Sequence, residues 1–296
     1  MSAIERVSVV GAGAMGSQIA LVCALAGLPT KLYDVNDAAI EKATTSLQAW
    51  LERSVRKGRL TTAERDAAWA RLQFDQDLAS AVADADLVIE AVVEKLEVKR
   101  SLLEELGRLT VPEALLSSNT SSFVPSRLAD ATGRPAQFAN LHFFNPALVM
   151  ACVEVVRGPQ TADATVAAMM DFTKRIGKSP VLLEKEIPGF IANRILNAVR
   201  DEAIYLLENG YASVSSIDTA CRTALGYPMG PFELMDLTGI DIGYYSKLGR
   251  FAETGDPTDK PSVTVTALVE RGDLGRKTGR GFYAYDGEGK KIEDAT

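Results

Sequence analysis

The sequence predicts a doubly wound, mostly parallel α/β sheet followed by a smaller, all-helical C-terminal domain. Three observations predict it. Short apolar strands alternate with helices over about the first 185 residues, the pattern of a parallel sheet with helical crossovers. The first strand runs into a glycine-rich turn, Gly11-Ala12-Gly13-Ala14-Met15-Gly16, and then into a helix. Beyond Ile187-Pro188-Gly189 apolar residues recur at helical spacing, and no strand is signalled until Phe282-Tyr283-Ala284-Tyr285. The domains are therefore placed at 1–187 and 188–296.

The β-branched run VSVV after Arg6 is a buried parallel strand. The apolar helix over 15–26 stops at Gly27, and a second strand over 30–33 ends at Asp34. Strand, glycine turn, helix, strand and acid form the dinucleotide fingerprint in its required setting. Gly11 allows the tight turn, Gly13 lets backbone approach a pyrophosphate, and Gly16 lets the helix pack on the strand. The helix start offers free N–H groups to phosphate. The sheet is thus of Rossmann type and the cofactor is NAD, with Gly11, Ala12, Gly13, Ala14, Met15, Gly16 and Asp34 at its site.

A long helix follows over 37–58, ending in the basic stretch Arg56, Lys57, Arg59, which is either a solvated face or a dock for a phosphorylated substrate. Thr61 to Glu64 is a capping box. Further strands are expected at 85–93, 115–119, 138–143, 152–157 and 180–183, with an amphipathic helix over 94–109 and another helix capped by Thr161. The glycine loop, Asp34, Glu94 and the turn Asn119-Thr120-Ser121 all follow strand carboxyl ends, where such sheets bind ligands. In the second domain a helix runs over 190–208 with Asn193 in its first turn. Ser215 or Ser216 caps the next.

His142 is the sole histidine of 296 residues and sits in Leu-His-Phe-Phe-Asn-Pro. Glu154 is a lone acid on an apolar run, and Ser118 to Ser122 is a hydroxyl-rich turn. A base, a carboxylate to orient it and a hydroxyl turn are the parts of an acid–base site. A net charge of −7 argues against a nucleic-acid partner. One histidine and three scattered cysteines, Cys23, Cys152 and Cys221, argue against a metal site or a disulfide framework. No apolar run is long enough to span a bilayer, and no signal peptide precedes the first strand, so the default is a cytoplasmic protein.

These residues together resemble the short-chain L-3-hydroxyacyl-CoA dehydrogenases, the group that includes 3-hydroxybutyryl-CoA dehydrogenase. The resemblance covers almost the whole chain: GAGAMG at 11–16, VIEAVVEKLEVK at 88–99, SNTSS at 118–122, LHFFNP at 141–146, VEVV at 153–156, PGFIANR at 188–194, GYPMGPFEL at 226–234 and GRKTGRGFY at 275–283. It implies NAD-dependent oxidation of an (S)-3-hydroxyacyl-CoA in fatty-acid β-oxidation, by a homodimer joined through its C-terminal domain. It makes His142 the catalytic base, Glu154 its carboxylate partner, and Ser121 and Asn193 substrate-binding members of the catalytic set. Asp34 binds the adenosine ribose. Glu94, Lys99, Asn119, Asn145 and Lys277 fall near cofactor or substrate, and Lys57 near CoA. Two departures touch the substrate side: Leu148 and Ala151 stand where the family commonly has proline and lysine, and Trp50 where a small polar residue is expected. The rival readings are a dehydrogenase of free β-hydroxy or sugar acids, resembling lambda-crystallin relatives, and a non-catalytic NAD-binding protein.

Overall fold

Strand β1 (Val7–Val10) is four residues long and buried throughout, which is why VSVV carries no exposed polar alternation. It pairs in parallel with β2 (Thr30–Tyr33) on one side and β4 (Leu87–Glu90) on the other. Outward from β2 lies β3 (Leu72–Asp75), and outward from β4 lie β5 (Leu115–Ser118), β6 (Phe138–Phe143), β7 (Cys152–Val156) and β8 (Ser179–Leu183). The order β3-β2-β1-β4-β5-β6-β7-β8 reverses direction between β1 and β4, the switch point at which open α/β sheets hold ligands. The β6–β7 pairing is the one antiparallel junction among the described strands. The fold is therefore Rossmann-type, doubly wound and mostly parallel. The computed structural model describes residues 3–292.

Helices α1 (Ala14–Leu25), α2 (Asp37–Arg56), α3 (Thr62–Ala70), α4 (Leu78–Val82), α5 (Leu96–Leu109) and α6 (Asp163–Arg175) cover the sheet. Side chains alternate across it. Val9, Leu32, Ile89, Leu141 and Val155 join one apolar core with α1, α2 and α6. Val10, Val88, Leu116 and Phe138 join the other with α4 and α5. Contacts divide the chain into Met1–Ile191 and Ala192–Thr296. The second unit holds α7 (Ala192–Glu208), α8 (Val214–Ala224), α9 (Pro231–Thr238), α10 (Ile240–Thr254) and α11 (Val263–Arg271) around Ile204, Ile217, Phe232, Met235 and Leu268. Two buried aspartates fasten its last segment. Asp218 accepts from Phe232 N, Glu233 N and Tyr283 Oη, and Asp236 from Phe282 N, Tyr283 N and Tyr285 Oη.

Several local expectations are corrected. Thr161 does not cap α6, whose cap position is Ala162; Thr161 Oγ1 accepts from Gly158 N and donates to the Phe138 carbonyl, tying the loop to β6. Ser213, not Ser215 or Ser216, caps α8, accepting from Ser216 N at 3.2 Å. Of residues 282–285 only Ala284 and Tyr285 make isolated bridges, and no strand forms, because Asp236 takes the N–H groups of Phe282 and Tyr283. Strand β3 and helix α4 carry no clear sequence signal: Leu-Gln-Phe-Asp lies at a sheet edge, where no continuous apolar run is needed.

A Cβ on Gly16 would overlap the Gly11 carbonyl oxygen, whereas one on Gly13 would meet nothing within 4 Å. Gly16→Val is expected to lower the unfolding free energy by about 1–3 kcal/mol, and Gly13→Ala to leave it near wild type. Urea denaturation of the two variants checks this; equal stabilities would show that the loop does not pack as described.

Candidate active site

The carboxyl ends of β1, β4, β5 and β6 assemble the site in the first unit. At β1 the glycine loop leads into α1, whose cap residue Gly13 makes no side-chain capping bond and whose first turn holds no acid. First-turn N–H groups not taken by a side-chain cap, with open space at Gly13, fit a bound phosphate. Asp34, at the end of β2, accepts from Ala12 N at 2.8 Å through Oδ2 and from Asn36 N at 2.9 Å through Oδ1. The acid that the fingerprint assigns to the ribose therefore also fixes the loop.

At β4 a charge network forms that the sequence reading did not isolate. Glu90 is buried and accepts from Lys99 Nζ at 2.7 Å, Val92 N at 2.7 Å and Ser118 Oγ at 2.5 Å. Lys99 is 1% exposed and also reaches Glu94 Oε2 at 3.1 Å. Glu94 Oε1 in turn accepts from Thr120 Oγ1 at 2.5 Å and from Ser121 N and Ser122 N at 3.0 Å. The turn carrying Ser121 is thus tied, through two carboxylates and one lysine, to the floor of the sheet. The available signal was a glutamate inside the otherwise apolar strand LVIE: a buried charge requires a partner. Lys99, assigned from the resemblance to the cofactor side, is placed with its ammonium on these carboxylates. Asn119 Oδ1 accepts from Phe143 N at 2.8 Å, joining the turn to β6.

His142 and Glu154 face each other across β6 and β7 in register. His142 Nδ1 lies 2.7 Å from Glu154 Oε2, and both side chains are buried. Glu154 Oε1 accepts from Ile191 N at 3.0 Å. The imidazole packs against the rings of Phe144 at 4.4 Å and Phe190 at 5.4 Å. The Phe190 contact is not signalled by spacing, since Phe190 lies far along the chain. An ionised carboxylate only accepts hydrogen bonds, so the proton of a neutral imidazole resides on Nδ1 and the lone pair on Nε2.

Asn145 is exposed just beyond β6. Lys57, at the C-cap of α2, is exposed with Arg56 and Arg59. Trp50 and Leu148, noted separately in the sequence, line one surface pocket with Val22, Leu25 and Lys178. Ala151 precedes β7, its carbonyl accepting from Ser179 N. In the second unit, Asn193 occupies the first turn of α7, and Lys277 Nζ holds Asp241 at 2.6 and 2.7 Å. Among the described residues no group of three or more His, Cys, Asp or Glu could hold a metal ion, and no helix is long and apolar enough to cross a membrane.

Burial pushes the Glu94 carboxyl up, but the Lys99 charge and the hydrogen bonds from Thr120, Lys99 and Ser121 outweigh it and hold it below the usual carboxylate range. A carboxylate depressed in the folded state stabilises it above the unfolded pKa, and that contribution fades as pH falls toward the folded value. Between about pH 5 and pH 3 the wild type should therefore lose stability more steeply than Glu94→Gln. Denaturation midpoints across that range check this; parallel pH dependences would show that Glu94 does not hold the turn.

Comparison with known proteins accounts for the arrangement as a whole. Residues 6–187 match the sequence model of the 3-hydroxyacyl-CoA dehydrogenase NAD binding domain, and residues 189–285 that of the 3-hydroxyacyl-CoA dehydrogenase C-terminal domain. The chain is 41% identical over 284 residues to a 3-hydroxybutyryl-CoA dehydrogenase of Bradyrhizobium diazoefficiens, covering 96% of each. It is 38% identical to the mitochondrial hydroxyacyl-coenzyme A dehydrogenase of Homo sapiens, covering 95% of this chain and 91% of that one. The crystal structure of (S)-3-hydroxybutyryl-CoA dehydrogenase from Ralstonia eutropha superposes with a TM-score of 0.89 at 38% identity, covering 96% of this chain and all (100%) of that one. With both domain models matched in order and relatives aligned over nearly its full length, the chain belongs to the 3-hydroxyacyl-CoA dehydrogenase family.

Proposed function

We propose that the protein oxidises an (S)-3-hydroxyacyl-CoA at C3 with NAD, reversibly, and that His142 exchanges the hydroxyl proton. The observation that carries this reading is the His142–Glu154 pair at the carboxyl edge of the sheet that bears the glycine loop. When bound, NAD supplies the hydride acceptor. His142 Nε2 takes the hydroxyl proton as C3 becomes a carbonyl, and returns it in the reverse direction. Glu154 Oε2 holds Nδ1, fixes the ring and stabilises the imidazolium. Phe144 and Phe190 confine the imidazole. Ser121 and Asn193 bind the substrate oxygens, the former on a turn whose position Glu94 sets.

The basic end of α2, with Lys57, Arg56 and Arg59 all exposed, suits the phosphates of CoA. Cofactor contacts are assigned to residues 11–16, Asp34, Glu94, Lys99, Asn119, Asn145 and Lys277. The protein works as a homodimer through its second unit. Supporting this, α10 presents Ile242 and Tyr245, three residues apart, at 62% and 63% exposure. A reducing compartment such as the cytoplasm suits three free cysteines.

Replacing His142 by Gln is expected to retain NADH binding and to cut turnover of acetoacetyl-CoA by about 10²–10⁴-fold, the scale of lost acid–base catalysis. NADH fluorescence titration and absorbance kinetics on the same preparation measure both. Near-wild-type turnover in the folded, NADH-binding variant would overturn the mechanism.

A further inference from the structure

Strand β6 reads Phe-Ala-Asn-Leu-His-Phe, is buried along its whole length and carries two polar side chains, Asn140 and His142. They stand two residues apart and so project from the same face of the sheet, about 6–7 Å from one another along the strand. His142 serves as the base. Asn140 takes no part in the site as described so far, yet it is 0% exposed. Its Nδ2 donates to the Phe123 carbonyl at 2.8 Å, and its Oδ1 is buried with no donor reaching it among the described residues. Buried polar atoms are ordinarily paired, and an unpaired amide oxygen costs stability. An apolar side chain of the same shape would spare β6 that cost. The contribution of Asn140 therefore lies at the other end of its bond to Phe123.

Phe123 closes the serine turn. At the start of that turn Asn119 Oδ1 accepts from Phe143 N at 2.8 Å. Strand β6 thus holds the turn at both ends, and His142 lies between the two points of attachment, Asn140 and Phe143. Within the turn, Thr120 Oγ1 accepts from Ser122 N at 3.2 Å and from Phe123 N at 3.1 Å, and Glu94 Oε1 accepts from Ser121 N and Ser122 N. Thr120 to Phe123 is therefore one bonded unit, and a shift of the Phe123 carbonyl is carried to Ser121. Ser121 is exposed, so the backbone of this unit decides where its hydroxyl stands.

We propose that Asn140 is a positioning residue for the reaction. By fastening the end of the serine turn to the strand that bears His142, it fixes the Ser121 hydroxyl relative to the imidazole, so that one substrate oxygen meets both. The inference rests on the dehydrogenase reading above, in which Ser121 binds a substrate oxygen and His142 exchanges the hydroxyl proton. Two groups that must reach the same oxygen need a common support, because a misplacement of about 1 Å costs on the order of 10²-fold in rate. The amide of Asn140 supplies that support from the same face and the same strand as the base.

The test is a double-mutant cycle on kcat/KM for the reduction of acetoacetyl-CoA by NADH, with the wild type, Asn140→Leu, Ser121→Ala and the double variant. Asn140→Leu should retain NADH binding and lose about 10–100-fold. In the Ser121→Ala background the same substitution should lose less than about 2-fold, since the group it positions is gone. The pH profile of kcat in Asn140→Leu should keep its midpoint, because the His142–Glu154 pair is untouched. Wild-type kcat/KM in Asn140→Leu overturns the proposal. Equal losses in the two backgrounds overturn it as well, since Asn140 would then act on the fold and not through Ser121. A displaced pH midpoint does the same, by placing its effect on His142. Ser121→Ala with wild-type kcat/KM leaves Asn140 nothing to position, and this arm needs no variant at Asn140, so a poorly folding Asn140→Leu does not rescue the proposal. Any of these results in an enzyme whose wild type turns over acetoacetyl-CoA sinks this inference alone; no turnover by the wild type sinks the dehydrogenase reading with it.

Discussion

The antiparallel register between β6 and β7 places His142 opposite Glu154. Directly opposed residues on such a pair project from the same face with Cβ atoms about 5 Å apart, close enough for an imidazole and a carboxylate to bond without backbone adjustment. A slip of one residue would send Glu154 to the other face, among the side chains that pack under α1 and α6. The flanking residues oppose that slip: Leu141, Phe143, Val153 and Val155 are all buried in that core. Apolar packing on one face of the sheet therefore fixes the chemistry on the other. Both carboxylate oxygens of Glu154 are engaged, one by the imidazole and one by Ile191 N, as a buried carboxylate requires.

The rest of the site is held at strand ends by carboxylates that act on backbone. Asp34 holds the glycine loop through Ala12 N, Glu90 holds the segment after β4 through Val92 N, and Glu94 holds the serine turn through two amides. Lys99 lies between buried Glu90 and the more exposed Glu94, so that the buried carboxylate is not left as a bare charge. The loops at the sheet edge thus owe their geometry to charge-assisted bonds rooted in regular structure. That arrangement lets side chains sit on turns without being loose.

Much of this was legible in the sequence, and for physical reasons. The glycine spacing is visible because only glycine tolerates the close approach of Gly16 to Gly11. A lone histidine and a lone acid on an apolar strand stand out because burying either without a partner is costly. What stayed hidden depends on tertiary context. The edge strand β3 has no run of apolar residues to announce it. Ser213 caps α8 in place of the expected Ser215 or Ser216 because three serines stand at that helix start, and Thr161 bonds the Phe138 carbonyl in place of capping α6; only the folded backbone decides either. Glu90 read as part of a strand, and its partner Lys99 as a helix residue.

The central claim is that Glu154 keeps the proton of His142 on Nδ1, leaving Nε2 free to accept one. The chain has a single histidine, so its ring nitrogens give unambiguous signals. Nitrogen-15 NMR of the histidine-labelled enzyme, above the pH at which the ring is protonated, reads the tautomer directly. The account predicts a protonated Nδ1 and an unprotonated Nε2 in the wild type, with that preference lost in Glu154→Gln. A wild-type ring protonated on Nε2, or a tautomer unchanged in Glu154→Gln, would contradict it.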